Sequence, residues 1–217
     1  MPCLNKRAAE LAQIARSNNT KIQIAGSLPP LKSTYRPDLA LPEAEARPIY
    51  HHIASWLQPF VDIYLIESMS SISEAIAGLR AVEPFKTPTW LAFILDDNQP
   101  HQLLSGERVA DIPLALEGFT IDAVLFNCCQ PKSIAPALTA LNFDGKTGGY
   151  ANAFSELPDD WVHGDPRETD QRISPKTYTR FVENWIQAGA SIIGGCCEIG
   201  PEHIQHLARA FRNDLAL

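Results

Sequence analysis

Four of the five cysteines in this 217-residue chain form adjacent pairs, Cys128-Cys129 and Cys196-Cys197. An odd number of cysteines in adjacent pairs is not the spacing of a secreted disulfide framework, and in a reducing compartment such clusters serve metal binding or catalysis. Each pair ends a short apolar run, in AVLFNCCQP and in SIIGGCCEIGPEHI. One pair alone reads equally well as core packing, because free cysteine is among the most buried residue types. Two pairs at the ends of two apolar runs point to a thiolate site. Consecutive residues of a regular strand face opposite ways, so only one of Cys128 and Cys129 can address such a site. After Gly194-Gly195 the alternation can break, bringing Cys196 and Cys197 to one ion that the glycine backbone approaches closely. Three thiolates from two distant segments suit zinc, with bonds of about 2.3 Å and the open fourth position of a catalytic centre; a closed four-thiolate structural site is the competing reading. Cys3 stands apart, ahead of the first helix. Glu67 also stands out, an acid at the end of the run Ile63-Tyr64-Leu65-Ile66, where a functional role is commoner than a packed one. Glu74 reads more simply as a solvated helix residue.

The elements that must position these groups alternate along the chain. Short apolar runs predict strands at 22–25, 63–66, 90–95, 123–126, 147–150 and 191–193. The unbroken run Trp90-Leu91-Ala92-Phe93-Ile94-Leu95 suits a parallel strand covered on both faces. Between the strands, helical spacing predicts helices at 6–16, from Pro42 onward, at 71–82 and 133–141, from Pro175 to Gly189, and at 202–212. Ser174-Pro175 is an N-cap followed by proline at the first helical position, with Tyr178, Phe181, Val182, Trp185 and Ile186 as the packing stripe. In the second helix the expected buried stripe is Ile49, Ile53, Trp56 and Leu57. Repeated strand-then-helix units indicate an α/β fold, either an open doubly wound sheet or a barrel, and in both the chemistry gathers at the carboxyl ends of the strands. Both cysteine pairs lie there. The polar stretch 155–173 has the length of a functional lid.

Residues 1–217 read as one domain. With 18 Lys and Arg against 25 Asp and Glu the net charge is -7 and no basic cluster exists, which argues against nucleic acid as a partner. No apolar run is long enough to span a membrane and the amino end lacks a signal-peptide core, so the expected location is cytoplasmic.

GGCC followed by Pro201, His203 and Ile204, together with Asn127-Cys128 followed by Pro131, forms a specific pair of motifs. Weaker matches accompany them: Ala25-Gly26-Ser27 with Tyr35-Arg36-Pro37-Asp38, Glu67 with Glu74-Ala75, Pro88 with Trp90 and Phe93, Ser105-Gly106-Glu107, and Tyr150 with Asn152. Over essentially its whole length the chain resembles the homocysteine S-methyltransferase family. That resemblance implies a (β/α)8 TIM barrel and a zinc ion held by Cys128, Cys196 and Cys197, with Cys129 a neighbour. It implies Glu67 as the carboxylate pairing with the amino group of L-homocysteine, with Asn127 beside it in substrate binding. The implied reaction moves a methyl group to the homocysteine thiol to give methionine. The compact single-domain layout favours a sulfonium donor, S-methylmethionine or S-adenosylmethionine. Trp90, Tyr150 and Trp161 have ring faces that could line such a cation site, though a core role is the commoner one for each.

The chain departs from the family at Glu198-Ile199, where Gly-Thr is usual, and at Ser70 and Ala151, where proline is usual. It also lacks the family's glycine-rich first strand with its Asp-Gly-Gly type motif. Six strands are predicted where a closed barrel has eight, so the expected architecture is an incomplete barrel of about six βα units. Two further readings follow. One is a catalytically silent barrel fragment that keeps a structural zinc-thiolate site. The other, a dithiol redox protein, is disfavoured because the C-x-x-C spacing is missing. Open sheet edges imply either a homo-oligomer or a complementing amino-terminal polypeptide.

Overall fold

The structure, a computed structural model, describes residues 2–153 and 173–211. Six parallel strands lie in the order of the sequence: β1 (Ala25–Leu28), β2 (Ile63–Met69), β3 (Thr89–Phe93), β4 (Ala123–Asn127), β5 (Lys146–Tyr150) and β6 (Ile192–Ile193). The helices are α1 (Pro2–Arg16), α2 (Glu43–Leu57), α3 (Ile72–Val82), α4 (Ile112–Ala115), α5 (Pro131–Ala140), α6 (Pro175–Gln187) and α7 (Pro201–Ala210). A doubly wound sheet reverses its strand order at a switch point. This one never does, so its winding is that of a barrel. Among the described residues β1 and β6 each bond to a single neighbouring strand.

The two faces of the sheet differ as that winding requires. Tyr64, Ile66, Leu91, Phe93, Val124 and Phe126 point outward into the main core, which they share with the helices. Leu65, Trp90, Ala92, Ala123, Leu125 and Ile192 form a smaller inner cluster made of strand residues alone. Period-two alternation therefore sorts residues between a helix-covered face and a concave one. Two aspartates repeat one joint: Asp62 accepts the Ile24 N–H at 2.8 Å and Asp122 accepts the Thr89 N–H at 2.9 Å, each just ahead of a strand and reaching back to its neighbour.

Several expectations are corrected. The first strand begins at Ala25, because Ile24 is committed to Asp62 and pairing with β2 starts at Ala25 opposite Ile63. In α2 the buried face is Ala46, Tyr50, Ala54 and Leu57, whose alanines admit α3 closely, whereas Ile49 is exposed and Ile53 and Trp56 are half-buried. Those three line a groove of about 800 Å³ between α1, β1 and α2. In α6 Ser174 caps Thr177 N–H as expected, but Ile186 faces solvent. The short helix α4 had no periodic signal. Residues 155–172 of the expected lid, and Trp161 with them, lie outside the described residues.

Candidate metal centre

At the carboxyl end of β2 the pairing with β3 shifts register between Ile66 and Met69. Regular alternation would send Glu67 and Ser68 to opposite faces. The bulge, with Ser68 at φ 62, turns both toward the concave side. The same device closes β4, where Cys128 stands at φ 53 directly after Asn127. Tyr35 at φ 70 and Glu198 at φ 65 also belong to this edge, so among the described residues four of the six non-glycine residues in the left-handed region gather around one site. Strained backbone clustered in this way is the mark of a functional centre.

The sulfurs of Cys128, Cys196 and Cys197 all lie within 4.8 Å of one another. Cys196 and Cys197 reach the site together because the segment after β6 continues alongside the segment after β5: Cys196 N–H donates to Ala151 O at 2.9 Å and Ala153 N–H to Cys197 O at 3.1 Å. Gly195 is needed for packing, since a Cβ there would collide with Ile199. Cys129 points the other way, into the outer core, where burial and then the Asp97 charge push its thiol well up.

In Cys128 a hydrogen bond with Cys196 favours the thiolate, but Cys197 and burial outweigh it and raise the thiol to about 11. Cys196 is raised further, by its bonds to Cys128 and Cys197 and by burial. Three thiols this close cannot all ionise by themselves. A bound cation reverses that balance and releases protons as it binds. The donor set fits a soft metal. Tetrahedral bonds of about 2.3 Å place sulfurs about 3.8 Å apart. The Cys196–Cys197 separation of 3.8 Å already matches, while the Cys128–Cys196 contact of 2.7 Å must open.

Beside the thiols, both oxygens of Glu67 are held. Ser27 Oγ donates to Oε1 at 2.5 Å and Tyr150 OH donates to Oε2 at 2.9 Å. Tyr150 keeps its proton through burial and the Glu67 charge, with Cys128 and Cys196 adding to the effect, so this phenol spans from carboxylate to thiols. Tyr35 reaches over from the loop after β1, donating to Cys128 O at 2.8 Å and accepting from Asn152 Nδ2 at 3.3 Å.

Two sequence expectations come out differently. Asn127, expected against substrate, is 0% exposed, with its amide bonded to Ser68 N–H, to Ser68 Oγ and toward Cys128 Sγ. Its place is behind Cys128. Glu74 is 6% exposed rather than solvated; it accepts Ser70 N–H at 3.1 Å, and burial raises its carboxyl. Trp90 takes the core alternative, in the inner apolar cluster, in register with Ala123 at the start of β4 and so far below Cys128. Ser68 was missed, and nothing in its sequence context could have marked it before the bulge was seen. His203 of the carboxy-terminal motif is structural: Nδ1 accepts Gly200 N–H at 3.2 Å, which leaves Nε2–H to donate to Ile173 O at 2.7 Å.

A singly wound parallel sheet with a thiol cluster and a tethered carboxylate at its carboxyl edge defines a barrel-type α/β protein with a centre suited to a soft cation. The sequence model of the family described as homocysteine S-methyltransferase matches residues 1–211, and the chain belongs to that family. Homocysteine S-methyltransferase YbgG of Bacillus subtilis is 25% identical over 203 residues, covering 89% of this chain and 62% of that protein. Homocysteine S-methyltransferase 1 of Zea mays is 27% identical over 158 residues, or 70% of this chain and 47% of that protein. The chain thus spans between 47% and 62% of the length of these two relatives. Among solved structures, the metallated form of the homocysteine methyltransferase MmuM from Escherichia coli superposes with a TM-score of 0.78 at 22% identity, covering 96% of this chain and 70% of that one. That likeness gives the fold as a TIM barrel, represented here by six of its strands.

Proposed function

We propose that this chain transfers a methyl group from a sulfonium donor, S-methylmethionine or S-adenosylmethionine, to the thiol of L-homocysteine, using zinc held by Cys128, Cys196 and Cys197. The observation carrying this reading is the convergence of those three thiols beside a carboxylate fixed at both oxygens. Zinc in such a set supplies a Lewis acid that keeps a coordinated thiol deprotonated near neutral pH. Glu67 receives the ammonium group of homocysteine, and Ser27 and Tyr150 fix the direction from which it is met. This orients the substrate sulfur toward the thiol cluster and converts encounter into positioned attack. The substrate thiol loses its proton to solvent. Its sulfur forms a bond to the donor methyl carbon while the carbon–sulfonium bond breaks, and the donor leaves as a neutral thioether. The metallated form of the E. coli relative supports a metal in this family's site.

The test is turnover of homocysteine with S-methylmethionine by the zinc-loaded chain. Cys128→Ser, Cys196→Ser and Cys197→Ser are expected to lose metal and activity, while Cys129→Ser keeps its metal. Glu67→Gln is expected to keep metal and weaken homocysteine binding. A second reading, a silent chain with a structural metal site, is favoured by the single partner strand that β1 and β6 each have among the described residues. Full metal loading without methionine formation would select it.

A further inference from the structure

We infer that Ser68 and Asn127 are positioning residues that deliver hydrogen bonds of fixed polarity to the Cys128 sulfur and so set its strength as a metal ligand. The inference rests on the metal site proposed above. Ser68 N–H lies 3.1 Å from Asn127 Oδ1, and a backbone N–H can only donate. That contact fixes the amide orientation, so Nδ2 is the atom 2.7 Å from Ser68 Oγ and must donate to it. With its oxygen accepting, the Ser68 hydroxyl spends its own hydrogen elsewhere, and Cys128 Sγ at 3.6 Å is its acceptor. The second hydrogen of Nδ2 reaches toward the same sulfur at 3.4 Å. Cys128 therefore receives two donors, and neither can act as a base toward it.

The pair is built to hold this arrangement. Asn127 is 0% and Ser68 8% exposed, so water does not compete for the bonds. The link runs from the end of β4 to the end of β2, across the strand between them, and ties together two of the left-handed residues of the site, Ser68 and Cys128. Donors to a ligating sulfur withdraw electron density from it, orient its lone pairs and leave more positive charge on the metal for an incoming thiol.

Cobalt(II) titrated into the metal-free full chain tests this, because the thiolate-to-cobalt charge-transfer band reads sulfur electron density directly. Ser68→Ala is expected to move the band to longer wavelength and weaken cobalt binding by about tenfold or more, the range for loss of an outer-shell partner. Ser68→Thr, which keeps the hydroxyl, restores both. Asn127→Asp still accepts Ser68 N–H but turns the hydroxyl hydrogen toward the carboxylate and away from sulfur, and it shifts the band the same way. This variant decides the matter if Ser68→Ala fails to fold. A wild-type chain that takes up no cobalt defeats the metal reading itself. A wild-type chain that binds cobalt, with bands and affinities unchanged in the variants, overturns this inference alone.

Discussion

Glu198 stands at φ 65 on the surface, directly after Cys197, the last thiol of the cluster. A residue with a Cβ pays roughly 1–2 kcal/mol in that conformation, which glycine escapes. The resemblance marked Glu198 as standing where glycine is usual, but the reason becomes visible only in the dihedral. Glu198→Gly is expected to raise stability by about 1 kcal/mol, reduced somewhat by glycine's freedom in the unfolded chain; the urea midpoint measures it. Glu74 gives a second residue-scale prediction. Burial raises its carboxyl above the unfolded value, so in that window the native state binds more protons than the unfolded one. Its contribution is then complete at acid pH and falls as pH rises through the folded pKa. Glu74→Gln keeps an acceptor for Ser70 N–H without the buried charge. Relative to wild type, the variant is expected to gain stability between acid and neutral pH, in urea titrations at both. An unchanged difference between the two proteins would remove Glu74 as the cause.

Two helices receive side-chain acceptors at their starts from a neighbouring loop. Between β3 and α4 the chain sends Glu107 to the Ile72 N–H at 2.9 Å, at the beginning of α3, and Asp97 to the Gln130 N–H at 2.8 Å, at the beginning of α5. Each carboxylate satisfies an orphan donor and opposes the positive end of a helix. Glu107→Ala is expected to cost about 1 kcal/mol, as for loss of an N-cap. Denaturant unfolding checks this, and a cost within error of zero would mean that Ser71, the local cap, suffices. Such links explain what was legible in the sequence. Strands such as β3 and β4 declare themselves as unbroken apolar runs because both faces are covered, and α6 shows its own cap. The cross-loop caps have no local pattern, since their partners lie tens of residues away. The buried face of α2 was misread because hydrophobicity favours Ile49 and Trp56 whereas close helix packing favours Ala46 and Ala54. At the site, the cysteines and Glu67 were legible from type and place. Ser68 and the burial of Asn127 were not, because both depend on a bulge and a left-handed turn.

At the scale of the whole molecule, the winding leaves one strand edge at each end of the sheet. β1 bonds to β2 alone and β6 to β5 alone among the described residues, so each presents N–H and C=O groups that a parallel strand would satisfy. Close to β1, α1 carries Leu4, Leu11 and Ile14 at 73%, 50% and 66% exposure. Spacings of seven and three residues set these side chains along one stripe of the helix. The groove of about 800 Å³ lined by Ala8, Ala12, Ile24, Ile53 and Trp56 adds further apolar surface on the same flank. An apolar stripe beside an unpaired strand edge promotes association, because water satisfies the edge but gains nothing from the stripe. The 217-residue chain by itself is therefore expected to self-associate as concentration rises, by sedimentation velocity. Leu11→Glu with Ile14→Glu is expected to shift the distribution toward monomer without lowering metal content, since neither residue lines the thiol cluster. A wild-type chain that stays monomeric across the accessible concentrations and unfolds in one sharp transition would show that the edge strands are closed by some other means.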